Sequence, residues 1–189
     1  MIFETTFIKD VVVIRPKTFP DSRGYFRELT RSNVLAENGL PNNFVQLNNS
    51  FPKQGVIRGM HYQLKHPQSK LVGVSYGEIY DVIIDLREDS DTFGKWYGVK
   101  LSSERGEMLF VPRGFAHGFV VLSDEAVFQY KCDDFYAPEC EGAVAWDDPE
   151  LGIDWGIPME DVILSEKDRK HPRLKDAAEL FDYSVDYYI

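Results

Sequence analysis

The chain has 189 residues, 43% hydrophobic and 28% charged, a size and balance that suit one folded unit with a buried core and exclude a disordered chain. Its net charge of −10, from 21 basic and 31 acidic residues, disfavours general binding to nucleic acid or anionic membrane, and an anionic small ligand would need a local basic cluster. No apolar run approaches the ~18 residues that cross a bilayer, and Glu4, Lys9 and Asp10 interrupt any secretory-type start, so neither a membrane span nor a cleaved signal is expected.

Short runs of strand formers follow one another along the chain: Val11–Ile14, Tyr25–Leu29, Phe44–Asn48, Val56–Gln63, Lys70–Tyr76, Glu78–Leu86, Trp96–Leu101, Met108–Val111, Gly118–Leu122 and Ala126–Cys132. Gly, Pro, Asp and Ser turns separate them at intervals of roughly ten residues, the rhythm of a sandwich or jelly roll. One early helix is predicted, with Ser32 as its N-cap and Asn38-Gly39 as its stop, and a second near Leu174–Leu180. No linker or low-complexity stretch interrupts residues 1–189, which read as one all-β domain with a few short peripheral helices. Cys132 and Cys140 match no zinc or redox spacing and read as free thiols of a reducing cytoplasm.

Strand parity adds detail. In Glu78–Arg87, Tyr80, Val82, Ile84 and Leu86 share one face, while Ile79, Asp81, Ile83 and Asp85 share the other. Aspartates alternating with isoleucines point to a face that looks into a lined cavity, although Asp85 could equally serve a salt bridge with Arg87 or a turn. Gln46 and Asn48 also share a face. Arg58 and His61 have opposite parity, so either Gly59 marks a bulge or Arg58 reaches in from the rim.

Two segments stand out. Gly55-Val56-Ile57-Arg58-Gly59-Met60-His61 and Gly106 through Pro112-Arg113-Gly114-Phe115-Ala116-His117 each run from a Gly to a His through strand formers. Their spacing resembles the two half-motifs of the cupin β-barrel. A metal-binding cupin would carry a second His where Gln63 stands, and a Glu soon after, where this chain has Gln68 and Ser69. The barrel signature is present with half its metal ligands erased, so no metal is expected on His61 and His117, and the two histidines fall short of the three or four ligands of a metal-dependent oxygenase.

Around these segments lie Arg23-Gly24-x-Phe26-x-Glu28, Gln46-x-Asn48, Lys70-Leu71-Val72, Asp85-Leu86-Arg87, Tyr130-Lys131, Trp146-x-Asp148-Pro149 and Leu164-Ser165-Glu166-Lys167-Asp168. In this order and spacing, over residues 2–172, the chain resembles the dTDP-4-dehydrorhamnose 3,5-epimerase family. The resemblance implies a jelly-roll barrel and a cofactor-independent isomerase acting on a 4-keto-6-deoxyhexose linked to thymidine diphosphate. It also implies a homodimer whose N-terminal strands cross to the neighbouring subunit. On that basis His61 is the expected base, Tyr130 the acid, and Asp168 the carboxylate paired with the base. Arg23, Phe26, Glu28, Gln46, Asn48, Arg58, Lys70, His117, Glu141 and Lys167 are expected to meet the substrate, and Tyr136 stands where the family stacks an aromatic ring on thymine.

The chemistry needs these residue types. Inverting a carbon beside a ketone means removing a proton from one face and returning one to the other, with a donor or cation holding the enolate oxygen. An imidazole, with an ordinary pKa near 6.5, is largely neutral at pH 7 and can accept that proton, while a phenol near 10 waits protonated. Lys70 or Arg58 would hold the enolate oxygen, and Arg23, Arg58 and Lys167 would meet the diphosphate. Rival readings are a relative that inverts one carbon or isomerises the ketone between carbons 3 and 4, and a non-catalytic cupin that binds a sugar nucleotide. Trp146 and Trp155 read as core, and His66 and His171, each before a Pro, as loop residues.

Overall fold

A computed structural model describes residues 1–189. Its elements in chain order are β1 (Ile2–Thr5), β2 (Val12–Arg15), β3 (Thr18–Asp21), β4 (Gly24–Arg27), α1 (Ser32–Glu37), β5 (Gln46–Ser50), β6 (Ile57–Gln63), β7 (Lys70–Tyr76) and β8 (Glu78–Asp85). They continue with β9 (Arg87–Glu88), β10 (Trp96–Ser102), β11 (Met108–Val111), β12 (Phe115–Val121), β13 (Val127–Cys132), β14 (Glu141–Ala143) and β15 (Phe181–Asp182). A six-stranded sheet in the order β1-β2-β11-β7-β13-β5 faces a five-stranded sheet in the order β10-β8-β12-β6-β14. Every pairing within these two sheets is antiparallel, and the result is the expected jelly roll. No helix is long and apolar enough to cross a membrane.

The alternation along β8 sorts the way its parity predicts. Ile79 and Ile83 pack between the sheets with Val72, Leu109, Phe119 and Phe128. Tyr80, Val82, Ile84 and Leu86 pack on the outer face of the five-stranded sheet, beneath Trp146, Trp155 and Phe181. Both tryptophans are buried as expected, and Trp155 Nε1 donates to the Trp146 carbonyl at 2.9 Å. The C-terminal tail thereby acquires a purpose. Phe181 is 1% exposed under β8, β15 pairs with β9, and the Tyr188 hydroxyl accepts from the Arg113 backbone N–H at 3.1 Å. Burying one such aromatic side chain stabilises the fold by about 1.5–3 kcal/mol.

Two helix expectations need correction. Ser32 is the first residue of α1 rather than its cap; Arg31 occupies the cap position with extended backbone, and no side chain caps the helix. The stop at Asn38 holds, with Gly39 at φ +73° just beyond it. Leu174–Leu180 forms only a single 3₁₀ turn, Leu174–Asp176, because Leu174 and Leu180 are both drawn onto the outer apolar cluster and the chain must extend to reach it.

Asp85 resolves to its structural reading. Its fully buried carboxylate accepts from Arg87 Nε at 2.9 Å, Arg87 Nη2 at 2.9 Å, Ser90 Oγ at 2.9 Å and Thr92 Oγ1 at 2.7 Å. Burial alone would raise its pKa, but these bonds outweigh it and hold the carboxyl below its ordinary value. A depressed folded pKa means stability that is complete above the unfolded carboxyl's pKa and is lost as pH falls through the folded one. Asp85→Asn strands Arg87 in the interior with Asp10 as its remaining carboxylate. We expect a loss of about 3 kcal/mol, or roughly 6–12 °C in Tm for a chain of this size, at neutral pH and a smaller difference in strong acid. Calorimetry across pH tests this, and an unchanged Tm at neutral pH refutes it.

Candidate active site

The two Gly-to-His segments become neighbouring strands. His61 of β6 and His117 of β12 are directly opposed in register, and the ladder then slips so that Phe119 opposes Arg58. Gly118 therefore faces both Gly59 and Met60, which is the bulge that was one of the two alternatives left by the parity of Arg58 and His61. Gly59, at φ +142°, would bring an added Cβ to 2.5 Å from the Gly118 Cα, so the backbones approach more closely than any side chain allows. The slip lets Arg58 and His61 line the same cavity.

That cavity, about 600 Å³, opens between the sheets and lies within the size range of small-molecule sites. One wall is β6 and β12, carrying Arg58, His61 and His117; the other is β5, β7 and β13, carrying Asn48, Lys70 and Tyr130. A smaller annex of about 220 Å³ shares Asn48, His61, Lys70 and Tyr130 and continues to Gln46, Tyr136 and Glu141.

On the first wall, His61 Nε2 lies 2.7 Å from Asp168 Oδ1. Asp168 sits on a 3₁₀ turn (Asp168–Lys170) packed against β6, and it is 5% exposed. Ser165 Oγ donates to its Oδ2 at 2.8 Å. Burial raises the Asp168 pKa, but the bonds from His61 and Ser165 outweigh it, so the carboxyl stays below its ordinary value and ionised at neutral pH. An ionised carboxylate can only accept. It therefore keeps a proton on Nε2 and leaves Nδ1, which has no protein partner, as the free base of the neutral ring.

On the second wall, Tyr130 packs its ring on Phe128 at 5.3 Å between centroids. Burial raises its phenol pKa, with Arg58 opposing, so the hydroxyl remains protonated. Lys70 Nζ stands 5.9 Å from the Tyr130 ring centre. Burial lowers the Lys70 pKa, and Cys132, Asp81 and Glu141 offset part of that. An imidazole and a phenol thus face one cavity from opposite sheets, an arrangement that can remove a proton on one face and return one on the other.

The remaining expected residues divide. His117 lines the cavity but is only 7% exposed, its Nε2 lying 2.9 and 3.0 Å from the two oxygens of buried Asp81. Gln46 Nε2 donates to Asn48 Oδ1 at 3.0 Å, and Gln46 Oε1 accepts from the Tyr136 backbone at 3.0 Å. Lys167 pairs with Glu141 at the mouth, beside the exposed ring of Tyr136. Arg23, Phe26 and Glu28 stand apart: they lie on or beside the exposed β3–β4 ribbon, where Arg23 bonds Asp21 and Glu28 bonds Arg31, and none lines this cavity in its own chain.

Gln63, standing where a cupin metal ligand would be, is a structural clamp. Its Nε2 donates to the carbonyls of His66 and Phe135, and its Oε1 accepts from the Ala137 backbone at 2.9 Å. His66 is an exposed loop residue as expected. His171 is not. Its ring packs edge-on against His61 at 5.2 Å, is 7% exposed, and stands 3.8 Å from Asp168. Burial and the neighbouring His61 lower its pKa. The spacing of three between Asp168 and His171 was the available signal, and a following Pro masked it. Ser165 and Asp81 also belong to the site's support; Ser165 was visible only as part of a longer motif.

Residues 5–176 match the family model described as dTDP-4-dehydrorhamnose 3,5-epimerase. A dTDP-4-dehydrorhamnose 3,5-epimerase of Pseudomonas aeruginosa is 49% identical over 172 residues, covering 90% of this chain and 94% of its own. One from Methanothermobacter thermautotrophicus is 48% identical over 175 residues, covering 92% and 95%. The crystal structure of a dTDP-6-deoxy-D-glucose-3,5-epimerase from Legionella pneumophila, in complex with dTDP-4-keto-L-rhamnose, superposes with a TM-score of 0.92 at 43% identity, covering 97% of this chain and 98% of that one.

Proposed function

The chain belongs to the dTDP-4-dehydrorhamnose 3,5-epimerase family, an isomerase family, and from that premise we propose that it inverts carbons 3 and 5 of dTDP-4-dehydro-6-deoxy-D-glucose to give dTDP-4-dehydro-L-rhamnose, a step of dTDP-L-rhamnose biosynthesis. The observation that carries this reading is the placement of His61, paired with buried Asp168, and Tyr130 on opposite sheets of one cavity. His61 removes the proton next to the ketone and Asp168 stabilises the imidazolium that results. Lys70 and Arg58 stabilise the enolate oxygen, and Tyr130 delivers a proton to the opposite face. Arg58 and Lys167 give the cavity the local positive charge that a diphosphate needs on a chain of net charge −10. Gln46, Asn48, His117 and Glu141 contact the sugar nucleotide, with Tyr136 offering an exposed ring to thymine.

Arg23, Phe26 and Glu28 can serve this site only from a second copy. We therefore place the β3–β4 ribbon, with its exposed Phe19, Tyr25 and Phe26, against the cavity of a partner in a homodimer. The free thiols of Cys132 and Cys140 suit a cytoplasmic enzyme, and burial pushes Cys132 up to about 11.

Chelator-treated protein given the keto sugar nucleotide in deuterated water should place deuterium at carbons 3 and 5 without nicotinamide or added metal. The same sample should scatter light as twice the 21.8 kDa chain. Exchange at one carbon reduces the reading to a single-carbon epimerase, and no exchange leaves a binding module. A monomer sinks the ribbon-exchange part.

A further inference from the structure

We propose that His61, Asp168 and His171 form a binding site for a divalent transition-metal ion of the zinc type, and that its occupation switches the base off. The donor atoms of the three side chains all lie within 4.8 Å of one another. His61 Nε2 is 2.7 Å and His171 Nε2 3.8 Å from the same oxygen, Asp168 Oδ1. Zinc bonds of ~2.0–2.2 Å place tetrahedral donors about 3.3 Å apart, so one separation opens and the other closes by roughly half an ångström. Two imidazoles and a carboxylate are a donor set that zinc accepts, leaving a fourth position for water.

His171 supplies the independent pointer. Both its ring nitrogens are buried without a hydrogen bond, and the Gly59 backbone beside the ring does not meet hydrogen-bonding geometry. Buried polar atoms are rarely left so, and an unpartnered imidazole aimed at a carboxylate is chemically suited to bind a cation there. The scaffold is rigid on both sides. His61 sits mid-strand in β6, and Ser165 occupies Asp168 Oδ2 while leaving Oδ1 toward the two rings.

The site itself stands on this geometry; its consequence rests on the base role proposed for His61. At present Nε2 carries the proton and Nδ1 the free lone pair. A metal on Nε2 takes that position, and the displaced proton moves to Nδ1 of the still neutral ring. The nitrogen that faces the cavity then has no lone pair to accept a C–H proton. Nucleotide binding on Arg58 and Lys167 is untouched, so zinc blocks turnover without displacing dTDP.

The test uses cobalt as a visible probe. Metal-free protein titrated with CoCl₂ should develop d–d absorption that saturates at one ion per chain and is quenched by zinc. His171→Phe keeps the packed ring and removes the donors, and it should weaken cobalt binding at least tenfold; His171→Asn, checked by its melting temperature, guards against misfolding of the first variant. In parallel, one equivalent of zinc should stop deuterium uptake in the wild-type protein, a chelator should restore it, and dTDP affinity should not change. Absorption unaffected by both His171 variants overturns the site. Binding that leaves exchange running overturns the switch. If metal-free protein shows no exchange at all, the epimerase reading has failed, and the cobalt titration still decides the site.

Discussion

His61→Ala abolishes deuterium uptake at both carbon 3 and carbon 5, with a loss on the order of 10²–10⁴ in rate. One base is expected to serve both carbons, because the His61 side chain is 30% exposed and its partner Asp168 is held below the ordinary carboxyl pKa, while His117 is 7% exposed and burial raises the pKa of its partner Asp81. Asp168→Asn should come close to the same loss without touching substrate. An amide in place of an ionised carboxylate no longer dictates which ring nitrogen carries the proton, and it offers the imidazolium no charge. Retention of dTDP binding in both variants separates this loss from a collapsed cavity. Exchange rates followed by proton NMR decide the matter, and a His61→Ala protein that exchanges either carbon at one-tenth of the normal rate or faster ends the assignment.

The sequence made some parts of this arrangement legible and hid others, for identifiable reasons. β7 and β11 fall on their predicted residues because Gly, Pro and Ser turns bound them on both sides and their apolar runs are long enough to be read. β1, β3, β14 and β15 escaped notice. They are two to four residues long, β3 contains a Pro and β14 reads Glu-Gly-Ala, so their pairing comes from tertiary context and not from strand propensity. The mismatched parity of Arg58 and His61 left a bulge at Gly59 and a rim approach of Arg58 both open; choosing the bulge, and its cause in the close approach of Gly118, needed the fold.

Within the site, His61, Tyr130 and Lys70 were readable from motif and chemistry together. His171 was lost because a His before a Pro ordinarily ends up in a loop, and only the packing of the Asp168 turn against β6 brings it to His61. The barrel also explains Gln63. An amide that donates twice and accepts once ties two loop segments together, a structural task that a metal-binding His there could not perform.

Tyr130→Phe should separate the two halves of the reaction. The substitution removes a single oxygen and leaves the ring on Phe128 and beside Lys70, so the fold and the opposing His61–Asp168 pair persist. Proton abstraction by His61 then continues, and the enolate it forms is repaid from the same face by the imidazolium. Deuterium still enters, within about tenfold of the normal rate, while net inversion falls by roughly 10²–10³, the range expected for loss of one positioned acid. Comparing isotope uptake with the yield of inverted sugar measures this directly. If inversion keeps pace with exchange, the proton comes from another group and Tyr130 is only a wall residue. The contrast with His61→Ala carries the structural point. Each sheet contributes one proton-transfer group, so deleting the group on β6 stops both processes, whereas deleting the one on β13 uncouples them.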